Sequence, residues 1–188
     1  MKRRIKIDIV IGLIITALIA ALVLTNINRS GRDVVYDRGE FGSAWFDTDG
    51  NSCDTRNDVL AIQVENAVKQ GCKVIGGKVN DPYSGQSYEF VTGGAFPIDH
   101  VVSLEDAWSS GAWKWTDYQR LLFANDLRNL QVTTRLMNEQ KSSHGPDHWL
   151  PPHDQCGFVR RYVDVKHIYS LSLTQDEQRA VDSVLANC

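Results

Sequence analysis

At 188 residues the chain has the length of a single domain. Its 43% hydrophobic content is enough to bury a core, which excludes a disordered chain. The net charge is −3, but from Ser30 onward 15 Lys and Arg stand against 22 Asp and Glu (15 − 22 = −7), which excludes a tight, charge-driven nucleic-acid binder and leaves room for weak, local contact.

Met1 to Lys6 is a short basic run, and Ile9 to Ile27 follows without a charge. A membrane-spanning helix needs roughly 20 such residues. Basic residues before it keep that end in the cytoplasm and place the rest of the chain outside. An uncleaved signal anchor and a cleaved signal peptide both fit, and the lack of an A-x-A site at the end of the run favours the anchor. The chain then divides into residues 1–28 as anchor or signal, 29–35 as a polar linker, and 36–188 as the exported domain. Four cysteines, Cys53, Cys72, Cys156 and Cys188, agree with export to an oxidising compartment. Three pairings are possible in principle. Cys53–Cys72 and Cys156–Cys188 are expected, because each joins neighbours in sequence and keeps the ends of the domain separate.

Asn57 to Gln70 has apolar residues at helical spacing, with Gly71 placed to end a helix. Lys73 to Val79 and Tyr88 to Thr92 are β-like, separated by the turn signal Asp81-Pro82-Tyr83-Ser84-Gly85. Pro97 to Val102 is extended. Ser103 with Asp106 forms a capping-box pattern for a helix through Trp108, and Thr116 with Gln119 another for a helix to about Asn125. Leu130 to Thr133 is β-like, and Arg135 to Ser142 helical. Asp154 to Ser170 and Gln175 to Ala186 are amphipathic helices, the second capped by Thr174 with Glu177. The expected class is α+β.

Chemistry concentrates in two strings. Asp99 and His100 stand side by side at the end of an apolar strand, where neighbours point to opposite faces unless the strand ends or bends. About thirty residues later, Leu127 to Lys141 reads as strand, turn and helix. It places Asn129 before the strand and Asn138 in the helix, with Lys141 one turn on. A His with a near-neutral pKa suits a general base for activating water. An Asp and an Asn oxygen suit a hard divalent ion, Mg²⁺ first and Mn²⁺ second. Lys141 suits a phosphate contact.

The strings IDHVVSLEDAW and FANDLRNLQVTTRLMNEQKSSHGPDHWLPP, with Cys53 to Asn57 and Asp81 to Gly85 upstream, resemble the secreted and membrane-anchored HNH endonucleases of bacteria and their phages. These are the ββα-metal (His-Me finger) nucleases, of the GmrSD C-terminal kind. The resemblance runs from about Tyr36 to Pro152. It implies a ββα-metal core with additional helices, in which His100 is the general base, Asp99 and Asn138 the metal ligands, and Asn129 the residue that orients the catalytic loop. It implies hydrolysis of DNA to 5′-phosphate ends, with RNA as a second substrate, and no protein partner is indicated. The third motif position is Asn138 rather than His, and an amide oxygen favours Mg²⁺ over Zn²⁺.

Other residues admit two readings. Arg56 could touch DNA or pair with Asp54 or Asp58. His144 could meet a phosphate. With His148 and His153 it could instead make the zinc site of a surface hydrolase, although the spacing is loose and the nearby prolines break any helix. Trp108, Trp113 and Trp115 fit packing better than base stacking. Arg160 and Arg161 read as a solvated helix face. An inactive, surface-anchored binding module is the remaining alternative.

Overall fold

The computed structural model describes residues 35–91 and 96–188. The expected anchor and most of the linker lie outside them. Among the described residues no helix is long and apolar enough to cross a membrane. Tyr36–Cys188 forms one compact unit, a mixed α+β structure with two small sheets and six α-helices among the described residues.

The chain enters through a 3₁₀ turn, Arg38–Phe41, followed by α1 (Thr55–Gln63) and the antiparallel meander β1 (Val64–Gln70), β2 (Lys73–Asp81) and β3 (Gln86–Val91). The single helix expected over Asn57 to Gln70 is therefore a helix for its first half and a strand for its second. Pairing with β2 decides this: Val64 faces Val79, Gln70 faces Lys73, and irregularities lie between Glu65 and Lys69. Gly71, at φ 59°, turns a tight hairpin rather than ending a helix. The Cys53–Cys72 disulfide ties that hairpin to the start of α1, and Cys156–Cys188 ties the start of the penultimate helix to the last residue. Both pairings are the expected ones.

A second, two-stranded sheet is made by β4 (Ile98–His100) and β5 (Leu130–Val132), antiparallel, with Asp99 opposite Gln131 and His100 opposite Leu130. Between them run α2 (Leu104–Ser110), a 3₁₀ turn at Ala112–Lys114, α3 (Asp117–Ala124) and another at Leu127–Asn129. After β5 come α4 (Arg135–Lys141), α5 (Gln155–Ile168) and α6 (Gln175–Leu185). The capping boxes at Thr116/Gln119 and Thr174/Glu177 are present with both reciprocal bonds. Ser103 caps α2 by accepting from the Asp106 N–H, but the Asp106 carboxylate turns away to Lys166 and Tyr162.

Val59, Leu60 and Val64 pack with Val74, Val79, Ile98, Leu130 and Val132 into the core joining α1, the meander and the small sheet. Gln63 at the end of α1 finishes the free edge of β5. It accepts from the Val132 N–H at 2.8 Å and donates to the Leu130 carbonyl at 2.7 Å. Edge groups that would otherwise be left open are thereby paired. Phe41, Trp108 and Phe123 form an aromatic cluster extended by Trp115 and Tyr169. Trp108 and Trp115 thus pack the segment between the two strands onto the body of the domain.

Candidate active site

The β4–β5 pair positions the central residues, and Asn129 fixes its open end. Asn129 is fully buried. Its main-chain carbonyl accepts from Val101 N–H at 2.8 Å, its amide oxygen from Val102 N–H at 2.8 Å, and its amide nitrogen donates to the Val102 carbonyl at 3.0 Å. The side chain thus continues the ladder for one more step where the strand has run out. His100 stands just before this clasp.

His100 and Asp99 have different surroundings, as strand alternation requires. The His100 Nε2 lies 2.8 Å from the Ala124 carbonyl at the end of α3. A carbonyl only accepts, so Nε2 carries the proton and Nδ1 keeps its lone pair. Burial, with the Arg38 and Lys141 charges, pushes the imidazole pKa down to about 4 against the pull of that carbonyl bond, below the near-neutral value expected of the base, so the ring is neutral at pH 7. The ring borders a small cleft lined by Arg38, Phe41, Gly42, Trp45, Leu104 and Ala124, among others.

Asp99 is 5% exposed. One carboxylate oxygen accepts from the Tyr83 hydroxyl at 2.8 Å, and the other lies 3.1 Å from the Lys141 ammonium. Burial raises the Asp99 pKa, while Lys141 and the Tyr83 bond oppose the rise. Tyr83 comes from the Asp81–Gly85 turn. That turn is pinned to the start of α4, because the Asp81 carboxylate accepts from Thr133 Oγ1 at 2.8 Å and Thr134 N–H at 3.2 Å. Lys141 is fully buried and also donates to the His100 carbonyl at 2.8 Å. In this position it has no surface with which to meet a phosphate. It ties α4 to the strand that carries the imidazole.

Asn138 is half-buried on α4, and among the described residues its amide makes no side-chain hydrogen bond. Among the described residues no three His, Cys, Asp or Glu come together to hold a metal. The Asp99–Asn138 pair does not fit a metal centre as it stands, because both Asp99 oxygens are engaged and Lys141 already neutralises the charge. Asn138 keeps a free amide oxygen.

The remaining expected residues lie further out. Arg56 is half-buried, with its guanidinium over the Trp45 ring and donating to the Phe96 carbonyl at 2.8 Å, so it backs a wall of the His100 cleft. His144 and His148 stack at 5.7 Å, and His148 meets Asp147 at 2.8 Å. His153 instead packs on the Pro82–Gly85 turn, so the three histidines do not converge. Arg161, read as solvated, reaches the carbonyls of Leu127, Arg128 and Leu130 and the Gln131 amide oxygen, clamping the strand entry onto α5. Arg38, in the cleft, drew no notice in the sequence, since nothing near it in the chain suggests chemistry.

Comparison with known proteins follows this geometry. The family described as GmrSD restriction endonucleases, C-terminal domain, matches residues 51–182. An uncharacterized secreted protein of Arthroderma benhamiae is 38% identical over 158 residues, covering 81% of this chain and 76% of the relative. No solved structure matches the chain.

Proposed function

The chain belongs to the family of GmrSD restriction endonuclease C-terminal domains, and from that premise we propose that it is an extracellular endonuclease of the HNH type, hydrolysing phosphodiester bonds of DNA, and of RNA as a second substrate, with low sequence specificity. Strand β4, strand β5 and helix α4 form its ββα core. Family membership gives a nuclease-type function. The secreted relative and the two disulfides point to a site of action outside the cell.

The observation that carries the reading is the placement of His100. Its Nε2 faces the Ala124 carbonyl, which leaves Nδ1 as the ring's free basic atom, and that ring borders a cleft. In the proposed reaction Nδ1 removes a proton from water, the oxygen attacks phosphorus, and the P–O3′ bond breaks; the 3′ oxygen takes a proton from solvent, leaving a 3′-hydroxyl and a 5′-phosphate. Asn129 holds the strand end that carries the base. Tyr83, Asp99 and Lys141 hold the same strand from its other side. Nuclease families of this kind typically use a divalent metal. Asn138 offers an oxygen of the right hardness for Mg²⁺ or Mn²⁺, but Asp99 would first have to release Lys141, so no step is assigned to an ion.

Plasmid digestion by the oxidised protein, with Mg²⁺ or Mn²⁺ against EDTA, tests the proposal beside His100→Ala. Metal-dependent cutting is expected from the wild type, falling about 10²- to 10⁴-fold in the variant. Cutting that survives His100→Ala would move the active site elsewhere. Folded protein that binds DNA without cutting it under any metal would replace the enzyme with a binding module.

A further inference from the structure

The N-terminal turn Arg38–Phe41 lies before the first residue of the family match, yet it supplies a wall of the His100 cleft. It is docked firmly. Phe41 is 1% exposed within the aromatic cluster with Trp108 and Phe123. Arg120 of α3 donates to the Glu40 carbonyl at 2.8 Å and its carboxylate at 2.9 Å. Asp37 caps the turn by accepting from the Gly39 N–H at 2.8 Å. These contacts leave Arg38 exposed at the cleft. Among the described residues no carboxylate forms an ion pair with it; its polar neighbour is the Tyr36 phenol, on which the Glu105 and Asp37 charges also act. The cleft therefore has on its lining both the His100 ring and a cation that forms no ion pair, in a domain that is otherwise acidic.

We propose that Arg38 binds the scissile phosphate of the nucleic acid in the cleft, presenting the phosphorus to water held by His100. A guanidinium can grip two phosphate oxygens at once, which fixes orientation as well as supplying charge. Beside the polar Ser43, the lining residues Phe41, Trp45 and Leu104 add apolar surface that limits water around that contact. This inference rests on the nuclease reading but assigns a residue that reading does not use. It also explains how an acidic domain engages a polyanion: one unpaired cation at the chemical centre takes the place of a basic surface.

The experiment compares full-length wild type, Arg38→Gln, Arg38→Lys and the control Lys114→Gln, an exposed residue that does not line the cleft. Each is measured for cleavage of a short DNA duplex and, in EDTA, for binding of the same duplex by fluorescence anisotropy over a series of salt concentrations. Arg38→Gln is expected to lower kcat/KM about 10²-fold, with Arg38→Lys intermediate and Lys114→Gln close to wild type. In binding, Arg38→Gln should reduce the slope of log affinity against log salt by about one unit. A change in fold stability alone would not alter that slope. Wild-type cleavage and slope in Arg38→Gln would overturn the assignment, even with His100→Ala inactive. If wild type binds and never cuts, the hydrolase reading fails, and an unchanged slope in Arg38→Gln would still sink the phosphate contact. If wild type does neither, both proposals fall.

Discussion

Two lysines are among the most buried residues described, Lys141 at 0% and Lys166 at 1% exposure, and they are held in different ways. Lys141 has one carboxylate partner, Asp99, and spends another bond on the His100 carbonyl. Charge is balanced there, and the pair braces the strand beside the proposed base. Lys166 of α5 lies 2.8 Å from both Asp106 of α2 and Glu177 of α6. The Tyr162 hydroxyl is within hydrogen-bond distance of the same two carboxylates. Acid is in excess in this second cluster. Burial raises the Asp106 pKa, whereas hydrogen bonds from Lys166 and Tyr162 outweigh burial and lower that of Glu177. The two shifts run in opposite directions, Asp106 holding a proton more tightly than a free carboxyl and Glu177 less tightly. A buried lysine with perturbed acids around it is not by itself a catalytic sign: one such group flanks the proposed active centre, and the other fastens the C-terminal helices.

The largest effects should come from removing each ammonium. Lys141→Met and Lys166→Met should each cost about 3–5 kcal/mol in urea unfolding, because each strands buried carboxylate. The clusters should differ in rescue. Asp99→Asn alone should recover much of the loss in Lys141→Met, while Lys166→Met should need both Asp106→Asn and Glu177→Gln. Equal rescue by a single change in both would erase the distinction.

Removing the disulfides sharpens the comparison next. The Cys156–Cys188 bridge, with a sequence separation of 32, closes the cluster of α5 and α6, and Cys53–Cys72, with a separation of 19, closes the hairpin onto α1. Loop entropy puts their losses at about 3.7 and about 3.2 kcal/mol, for the double Ser variants measured by denaturant unfolding. Amide exchange should quicken first in α6 for the one and in the β1–β2 hairpin for the other. Uniform loosening in either would deny the two regions their independence.

The smallest effect is one of pH. The Glu177 pKa is lowered below its ordinary 4.5, so its contribution to stability is complete above that pH and is lost as pH falls through the lower, folded value. The Asp99 pKa is raised above 3.8, so its folded state takes up a proton more readily than the unfolded chain, and this group favours folding as pH falls. Urea midpoints between pH 3 and 6 should accordingly flatten in Glu177→Gln and steepen in Asp99→Asn. The same trend in both variants would contradict the opposite signs.

Much of this was legible in the sequence wherever the signal is local. Caps at Thr116 and Thr174, the Asp81–Gly85 turn, the short strands around Asp99 and Leu130, and both cysteine pairs depend on nearby residues. The Val64–Gln70 strand was not legible, because its apolar spacing suits a helix and only its partner β2, beyond the hairpin, makes it a strand. In the site, the placement of His100 at a strand end could be anticipated, but the fate of Lys141 could not. Helical spacing put it on a face with Asn138, and nothing in the chain indicated that the face would close on Asp99. Arg161 was read as solvated for a similar reason: its partners lie about thirty residues away.

Asn129 has a consequence for how this chain can vary. By imitating a peptide unit against Val102, it locks together two positions 27 residues apart, so everything between them is an excursion with a closed neck. Splicing in a longer or shorter cassette after α2 should leave the strand pair in register. The last turn of α3 is the exception, because the Ala124 carbonyl reaches back to set the tautomer of His100. Length is free between α2 and α3, whereas α3 itself must return to a fixed address, held by that carbonyl and by Arg120 on the N-terminal turn.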